Sequence, residues 1–402
     1  MKRTILLTFI CSTFLVLTFA HLGFSSEQAP VNPIKKFLKN IEYTSRLRFE
    51  YDNNIFLTEN DEDDDIKEIF TQTLTYRLPK ENYYFQLAYR GNYAYYNKES
   101  TGILGHAANV LYSYRPFNGF SIGFRDDYSW LSDSTIASTI GDRVLSLGYI
   151  QNTPALEVKY EIDPRWTVTT DAYYQFLDVK DGNNDDYIDN KRIGAKGTVF
   201  YSITPNHDLI GFFGYDHNQI TFPQITEKAS HSGRGFVGLK KKLPNYFDIT
   251  TEVGFENIYM DESDADDQNM DIQTQIETTF SVFTKVRLGL DYNVIKPSLR
   301  SEYSQFASTI SSINLSHAIN PKTSLNLNYS FEKQKFQSSN VLVGQADEDR
   351  TTDIHRTRMT LSRKLNSWLS GDFNYNYTQR NTDFANESYT NHTFTVGLMA
   401  KY

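Results

Sequence analysis

Two stretches of the chain hold residue types able to support chemistry. "SHSGRG" sets His231 beside Ser232, the two groups that nucleophilic acyl transfer needs as base and hydroxyl. Adjacent side chains of an extended strand point to opposite faces, so these two cannot meet. The other histidines, at 21, 106, 207, 217, 317, 355 and 392, stand singly, with His207 in a turn and His106 and His317 on outward positions. "DGNNDDYIDNKR" places Asp181, Asn183, Asp185, Tyr187 and Asp189 at alternating positions, as in a calcium-binding loop. Such a loop needs a glycine where Asp186 stands and a glutamate where Arg192 stands. Asp181, Asn183, Asp185 and Asp189 are therefore weak metal candidates. The acidic runs Asp61–Asp65 and Asp261–Asp267 either gather divalent ions loosely or serve solubility and exclusion. These residues imply no enzyme and no cofactor, and a net charge of −9 implies no nucleic-acid partner.

What would position such side chains is one pattern repeated along the chain. In "YYFQLAYRGNYAYY" the odd positions carry Tyr83, Phe85, Leu87, Tyr89, Tyr93 and Tyr95, and the even ones Gln86, Arg90 and Asn92. "SLNLNYSFE" sets Leu325, Leu327, Tyr329 and Phe331 against Asn326, Asn328, Ser330 and Glu332. This is the period of two of a strand with one apolar and one wet face, and no helical period fits. The breaks alternate in length. Short turns fall at 78–82, 115–119, 163–165, 204–208, 243–246, 283–285, 320–323 and 365–367. Long polar loops fall at 58–65, 97–101, 132–142, 180–186, 222–230, 261–270, 296–302, 337–349 and 381–387. Eight of one kind and nine of the other predict about eighteen strands. Sixteen stays open because the pattern weakens at 144–160 and 296–304. Asp126 and Arg363 also fall on the apolar parity, where charge is costly at mid-bilayer.

The expected fold is an all-β, antiparallel transmembrane β-barrel with short periplasmic turns and longer, acidic extracellular loops. In hydrocarbon every backbone N–H and C=O needs a partner, and only a closed sheet gives each strand one. The start agrees with export. Lys2 and Arg3 precede an apolar run from Ile5 to Phe19, with cleavage expected after Ala20 or after Ser25. Residues 1–25 thus read as a signal peptide, 26–42 as a periplasmic lead-in and 43–402 as the barrel. The single cysteine, Cys11, lies in the first segment, so the barrel contains no disulfide. The last strand puts Phe394, Val396, Leu398, Ala400 and Tyr402 on one parity. Pairing of that strand with the first would hold an end that otherwise frays. Phe394 and Tyr402 resemble the terminal signal that outer-membrane assembly machinery reads.

The stretch "RLRFEYDNNIFLTENDEDDDIKEIF" resembles the opening of outer-membrane porins of the "beta-barrel porin 2" kind. There a first strand ends in an aromatic-Asp-Asn-hydrophobic-Phe block, and a loop leads to an Asp-Ile start of the second. The matching residues are Tyr51, Asp52, Asn53, Asn54, Ile55 and Phe56, then Asp65 and Ile66. The motif covers the first hairpin alone. It implies a single-chain barrel, often encoded beside exopolysaccharide assembly systems, with polysaccharide-export components as partners.

Strand parity also sorts the charges. Inward bases are Arg46, Arg48, Arg90, Arg125, Lys159, Arg192, Lys196, Arg234, Lys240, Lys242, Arg287, Arg356, Arg358 and Lys364. Inward acids include Glu252, Glu256 and Glu277, with Lys240 and Lys242 expected to ladder against Glu252 and Glu256. Inward Tyr84, Tyr96 and Tyr173 offer sugar-stacking faces. The reading is a channel-like barrel in the bacterial outer membrane, among lipid and lipopolysaccharide, passing a hydrophilic solute. The alternatives are a non-conducting surface barrel, as adhesin or envelope component, and a rim enzyme acting on lipid.

Overall fold

The computed structural model describes residues 39–402 apart from 56, 58–62, 99, 132–137, 141–142, 146–147, 181–189, 222–228, 244–246, 261–266, 282, 296–302, 339–349 and 385–386. Among these residues the chain forms strands joined by turns and loops. They are β1 (Ile41–Asp52), β2 (Asp65–Pro79), β3 (Tyr83–Tyr96), β4 (Thr101–Phe117), β5 (Phe120–Leu131), β6 (Ser138–Ile140) and β7 (Arg143–Leu145). Next come β8 (Gly148–Glu161), β9 (Trp166–Lys180), β10 (Asn190–Ser202), β11 (Leu209–Thr221), β12 (Ser230–Leu243), β13 (Phe247–Met260) and β14 (Asp267–Ser281). The rest are β15 (Thr284–Ile295), β16 (Tyr303–Asn320), β17 (Thr323–Ser338), β18 (Arg350–Lys364), β19 (Leu369–Thr382) and β20 (Tyr389–Lys401). The small β6–β7 hairpin stands apart, and the other strands make one 18-stranded sheet.

Each barrel strand pairs antiparallel with its sequence neighbour, and β20 returns to β1, from Thr44 against Lys401 to Asp52 against Thr393. The ring has no edge. Beyond the ladder, Tyr43 and Tyr402 exchange both backbone hydrogen bonds (3.1 and 2.9 Å), and the Tyr402 ring stacks on Trp368. The terminal tyrosine is thus fixed in the wall.

Register fixes the two faces. Leu47, Phe49, Val237, Leu239, Phe255, Val396 and Leu398 share the outward parity and are exposed, Phe255 by 67%. That is the surface hydrocarbon covers in a membrane barrel. Of the two weak sequence regions, 148–160 is ordinary wall, while 296–302 lies outside the described residues and β16 begins at Tyr303. β8 runs straight through Pro154, and its ladder to β9 omits only Thr153 and Pro154 while keeping register on either side. The outward Asp126 lies opposite Pro154, and the Asn152 amide, turned so that its NH2 group faces the acceptors around it, donates to that carboxylate (2.9 Å). A proline unable to donate to the ladder and a carboxylate near lipid are thereby placed side by side, with one amide serving the charge. Arg363 stands one residue from the short-turn end of β18.

The register yields a test. Val396→Arg, at the middle of β20 on the outer face, is expected to lower unfolding free energy in lipid vesicles by about 2–4 kcal/mol. Gln275→Arg, on the wet face of β14, is expected to cost much less in the same denaturant titration. Equal losses would mean the faces are assigned the wrong way round.

Candidate functional site

The inner face of the barrel is the candidate site. Along one row of paired residues, Glu157, Asp171, Lys196, Asp216, Arg234 and Glu256 follow each other across β8 to β13. Arg234 is the hub. Its guanidinium binds Glu252 (2.7 Å) and reaches Asp271, with Nε donating to Oδ1 at 2.8 Å. It crosses Gly254 to do so, where a Cβ would strike both Arg234 and Asp271. Elsewhere Arg125 pairs with Asp127 (2.9 Å), Arg287 with Glu277 (2.6 Å) and Arg356 with Glu332 (2.8 Å), while Arg358 donates to Asn376 (2.8 Å). Arg192 shares the same face, in register with Gln175 and Ile220.

Two features of this wall depart from the alternation of apolar outside and polar inside. Phe200, Phe212 and Phe236 face inward on β10, β11 and β12, and Phe212 and Phe236 are buried. Lys196 lies over Phe236 (4.4 Å), and Lys240 over Phe200 (4.7 Å) and Phe212 (5.3 Å). The expected ladder of Lys240 and Lys242 against Glu252 and Glu256 is therefore corrected. Glu252 goes to Arg234, whose planar fork reaches two carboxylates at once, and Lys240 covers apolar rings with its stem. Of the stacking tyrosines, Tyr96 is only 6% exposed and Tyr173 donates to Asn218 (2.8 Å).

The second departure is the first loop. Ile55 folds into the barrel and packs on inward-facing Ile69, Ala94, Tyr96 and Ile103, with Leu131 beside them. The residues before it hold the loop there. Asn53 and Asn54 extend the β1–β20 seam: Asn53 bonds the His392 backbone through both its main-chain N–H and its side-chain carbonyl. Asn54 donates to the Thr390 carbonyl (3.1 Å), and Asn391 donates to Asp52 (3.0 Å) and to the Asn54 carbonyl (3.1 Å). Asp52 also holds Lys67 (2.5 Å). The block Tyr51–Ile55 is a clasp that closes the long-loop end of the seam. Tyr51 packs outward against Phe394 (6.5 Å), and Phe56 lies outside the described residues.

On the other side of the seam the β19–β20 loop folds inward too. Phe384 meets inward Phe336 edge-on (5.0 Å), and Glu387 pairs with Arg380 (3.1 Å), whose side chain is almost wholly buried. At the loop base, Asp383 accepts from the Thr351 N–H (2.7 Å) and hydroxyl (2.9 Å). Those bonds, the N–H first, hold its carboxyl below the ordinary carboxylate range. A depressed carboxyl stabilises the fold above its unfolded value, and the gain disappears as pH falls through the folded one.

The sequence-predicted charges thus share one face without forming one cluster. Arg46, Arg48 and Arg90 gather on β1 and β3, while Arg234, Glu252 and Glu256 sit on β12 and β13. The inner face also carries Asp52, Asp65, Asp216 and Asp271, which balance many of the bases, so an excess of positive charge is local. His231 stacks outward on Tyr259, and Ser232 is on the opposite face. Asp181, Asn183, Asp185 and Asp189 lie outside the described residues, as does the first segment through residue 38.

No protein-family model matches the chain, and no curated protein matches it. Solved structures do. The chain is similar to OpdK of Pseudomonas aeruginosa with vanillate, at 10% identity over 91% of this chain and 100% of that one, TM-score 0.50. It is similar to OccAB4 of Acinetobacter baumannii, at 12% identity over 90% and 98%, TM-score 0.50. A ferric enterobactin receptor mutant of Pseudomonas aeruginosa aligns at 8% identity over 94% and 81%, TM-score 0.53. This chain has the fold of bacterial outer-membrane barrels.

Ile55→Ala with Phe384→Ala should release both loops from the wall. The expected readout is faster proteolysis at residues 53–57 and 383–388, with the barrel itself still folded. Unchanged cleavage rates would show that the two apolar side chains do not anchor these loops. Asp383→Asn should remove the acid-side loss of protection at its loop and leave the first loop unaffected.

Proposed function

We propose that the protein is an outer-membrane channel for hydrophilic solutes. The observation that carries this reading is a closed 18-stranded wall whose inner face is lined with charged and amide side chains. At this strand number side chains alone do not fill the interior, which favours a wet lumen. The two inward-folded loops narrow the long-loop mouth on the side of the seam. The barrels similar in fold include a siderophore receptor and an iron transporter, so regulated passage fits the fold as well as open diffusion does. A conducting role makes outer-membrane lipid and lipopolysaccharide the surroundings and the assembly machinery the route of insertion.

A glycan cargo is the finer reading. It is supported by the beta-barrel porin 2 resemblance of Tyr51–Phe56 and Asp65–Ile66, and it makes polysaccharide-export components the partners. Chemistry at the rim has no support from geometry, because His231 and Ser232 sit on opposite sides of one strand.

Refolded protein in a planar bilayer is expected to give stepwise conductance, and Ser232→Ala is expected to leave it unchanged. A silent barrel would favour the adhesin or envelope-component reading. Loss of a lipolytic activity in Ser232→Ala would restore the enzyme. For the glycan cargo, deleting the gene should remove surface polysaccharide and spare uptake of small sugars.

A further inference from the structure

A recess of ≈ 480 Å³ opens in the inner wall where β20, β1, β2 and β3 meet. Its floor is made of small side chains, Gly105 and Ala107 on β4 and Ser129 on β5, and this is why the wall is hollow there. Three guanidinium groups surround it, from Arg46, Arg48 and Arg90. Thr44, Thr73 and Asn92 add hydroxyl and amide groups. Leu131 belongs both to the recess and to the apolar cluster around Ile55, so the folded-in first loop stands against it.

Charge counting makes this place unusual in the barrel. Arg46 pairs with Asp372 (2.6 Å) across Gly397, where a Cβ would lie 2.8 Å from the carboxylate. Asp372 also accepts from Asn374 (2.7 Å). The nearby Glu50 is taken by Lys67 (3.1 Å) and Thr395 (3.0 Å). Both acids are thus occupied, and no ion pair or side-chain hydrogen bond to a described residue engages Arg48 or Arg90. The Nε atoms of Arg46 and Arg48 are enclosed without a hydrogen-bond partner among the described residues. Every other inward arginine of the candidate set except Arg192 makes an ion pair or hydrogen bond to a carboxylate or amide. Arg48 is repelled by Arg46 and Arg90, and its nearby counter-charges among the described residues are only Glu50 and Asp372, which are already engaged. An anion between the guanidinium groups would relieve the repulsion.

We propose that this recess is a binding site for a small hydroxylated carboxylate. The planar fork of arginine matches a carboxylate in two parallel hydrogen bonds, and the threonine and asparagine groups suit the hydroxyls of the same molecule. The proposal rests on the channel reading only for how a solute reaches the lumen.

Sodium gluconate, sodium phosphate and glucose, titrated calorimetrically into the full-length protein in detergent, test it without requiring conduction. Gluconate should bind saturably and weaken as ionic strength rises, because the attraction is between charges in a wet lumen. Arg90→Gln should weaken binding about tenfold or more, the size of one lost charge-assisted contact, and Arg90→Lys by less. Heat-dependent gel migration checks that each variant is folded, and the salt dependence of the wild type needs no variant at all. Phosphate competing with gluconate would support the same oxyanion site. Glucose binding as well as gluconate, no binding, or binding indifferent to salt and to Arg90→Gln would overturn it. Binding in a barrel that passes no current would defeat the channel and leave this site standing; current without binding would do the reverse.

Discussion

The structure depends on the seam between β1 and β20. A membrane barrel gains its stability by giving every backbone polar group a partner, and one unpaired strand edge would expose a row of them to hydrocarbon. The ladder from Thr44–Lys401 to Asp52–Thr393 meets that demand through the membrane. Both its ends are then reinforced by means other than the ladder. At the short-turn end, Tyr402 exchanges backbone bonds with Tyr43 and stacks on Trp368. At the long-loop end, Asn53 and Asn54 carry the pairing into the loop through side-chain amides.

That second reinforcement shapes the lumen. The amide clasp turns the chain inward after Asp52, so Ile55 arrives over Ile69, Ala94 and Ile103 instead of in solvent. These inward apolar residues look misplaced in a wet barrel until the loop covers them. The same logic holds at Phe336 and Phe384 on the other flank of the seam. Closing the barrel and narrowing its mouth are therefore one structural event on neighbouring strands, and the arginine recess lies beside it.

Much of this was legible in the sequence, and the reason is the strand period. Alternation over a dozen residues fixes each face, so the outward Leu47, Phe49 and Val396 and the inward Arg46 and Arg234 follow from parity alone. Alternating turn and loop lengths give strand number and topology, since antiparallel neighbours need only short connections. What parity cannot supply is which inward groups meet. Glu252 binds Arg234 and not Lys240 because strand stagger and the gap at Gly254 set the reach of each side chain. Phe200, Phe212 and Phe236 share the parity of Lys196, Asp216 and Arg234, so this inner aromatic patch breaks the rule that apolar residues face lipid and not the rule of alternation. The inward loops left a trace that was readable in principle, apolar residues set in two polar loops, Ile55–Phe56–Leu57 in one and Phe384 in the other.

The distribution of charge follows from the same geometry. An inward base is neutralised when an acid stands one or two strands away at a similar height, as Glu252 and Asp271 do for Arg234. At β1 to β3 the available acids are diverted to the seam: Glu50 and Asp52 hold Lys67, and Asp372 reaches across β20 to Arg46. The facing positions on β4 and β5 are glycine, alanine and serine, which offer space and no charge. Arg48 and Arg90 are left facing that space because the seam consumes the carboxylates around them. A positive recess in a net-negative protein is thus a consequence of how the barrel closes, and it would persist through changes in the loops that left Glu50, Asp52 and Asp372 in place.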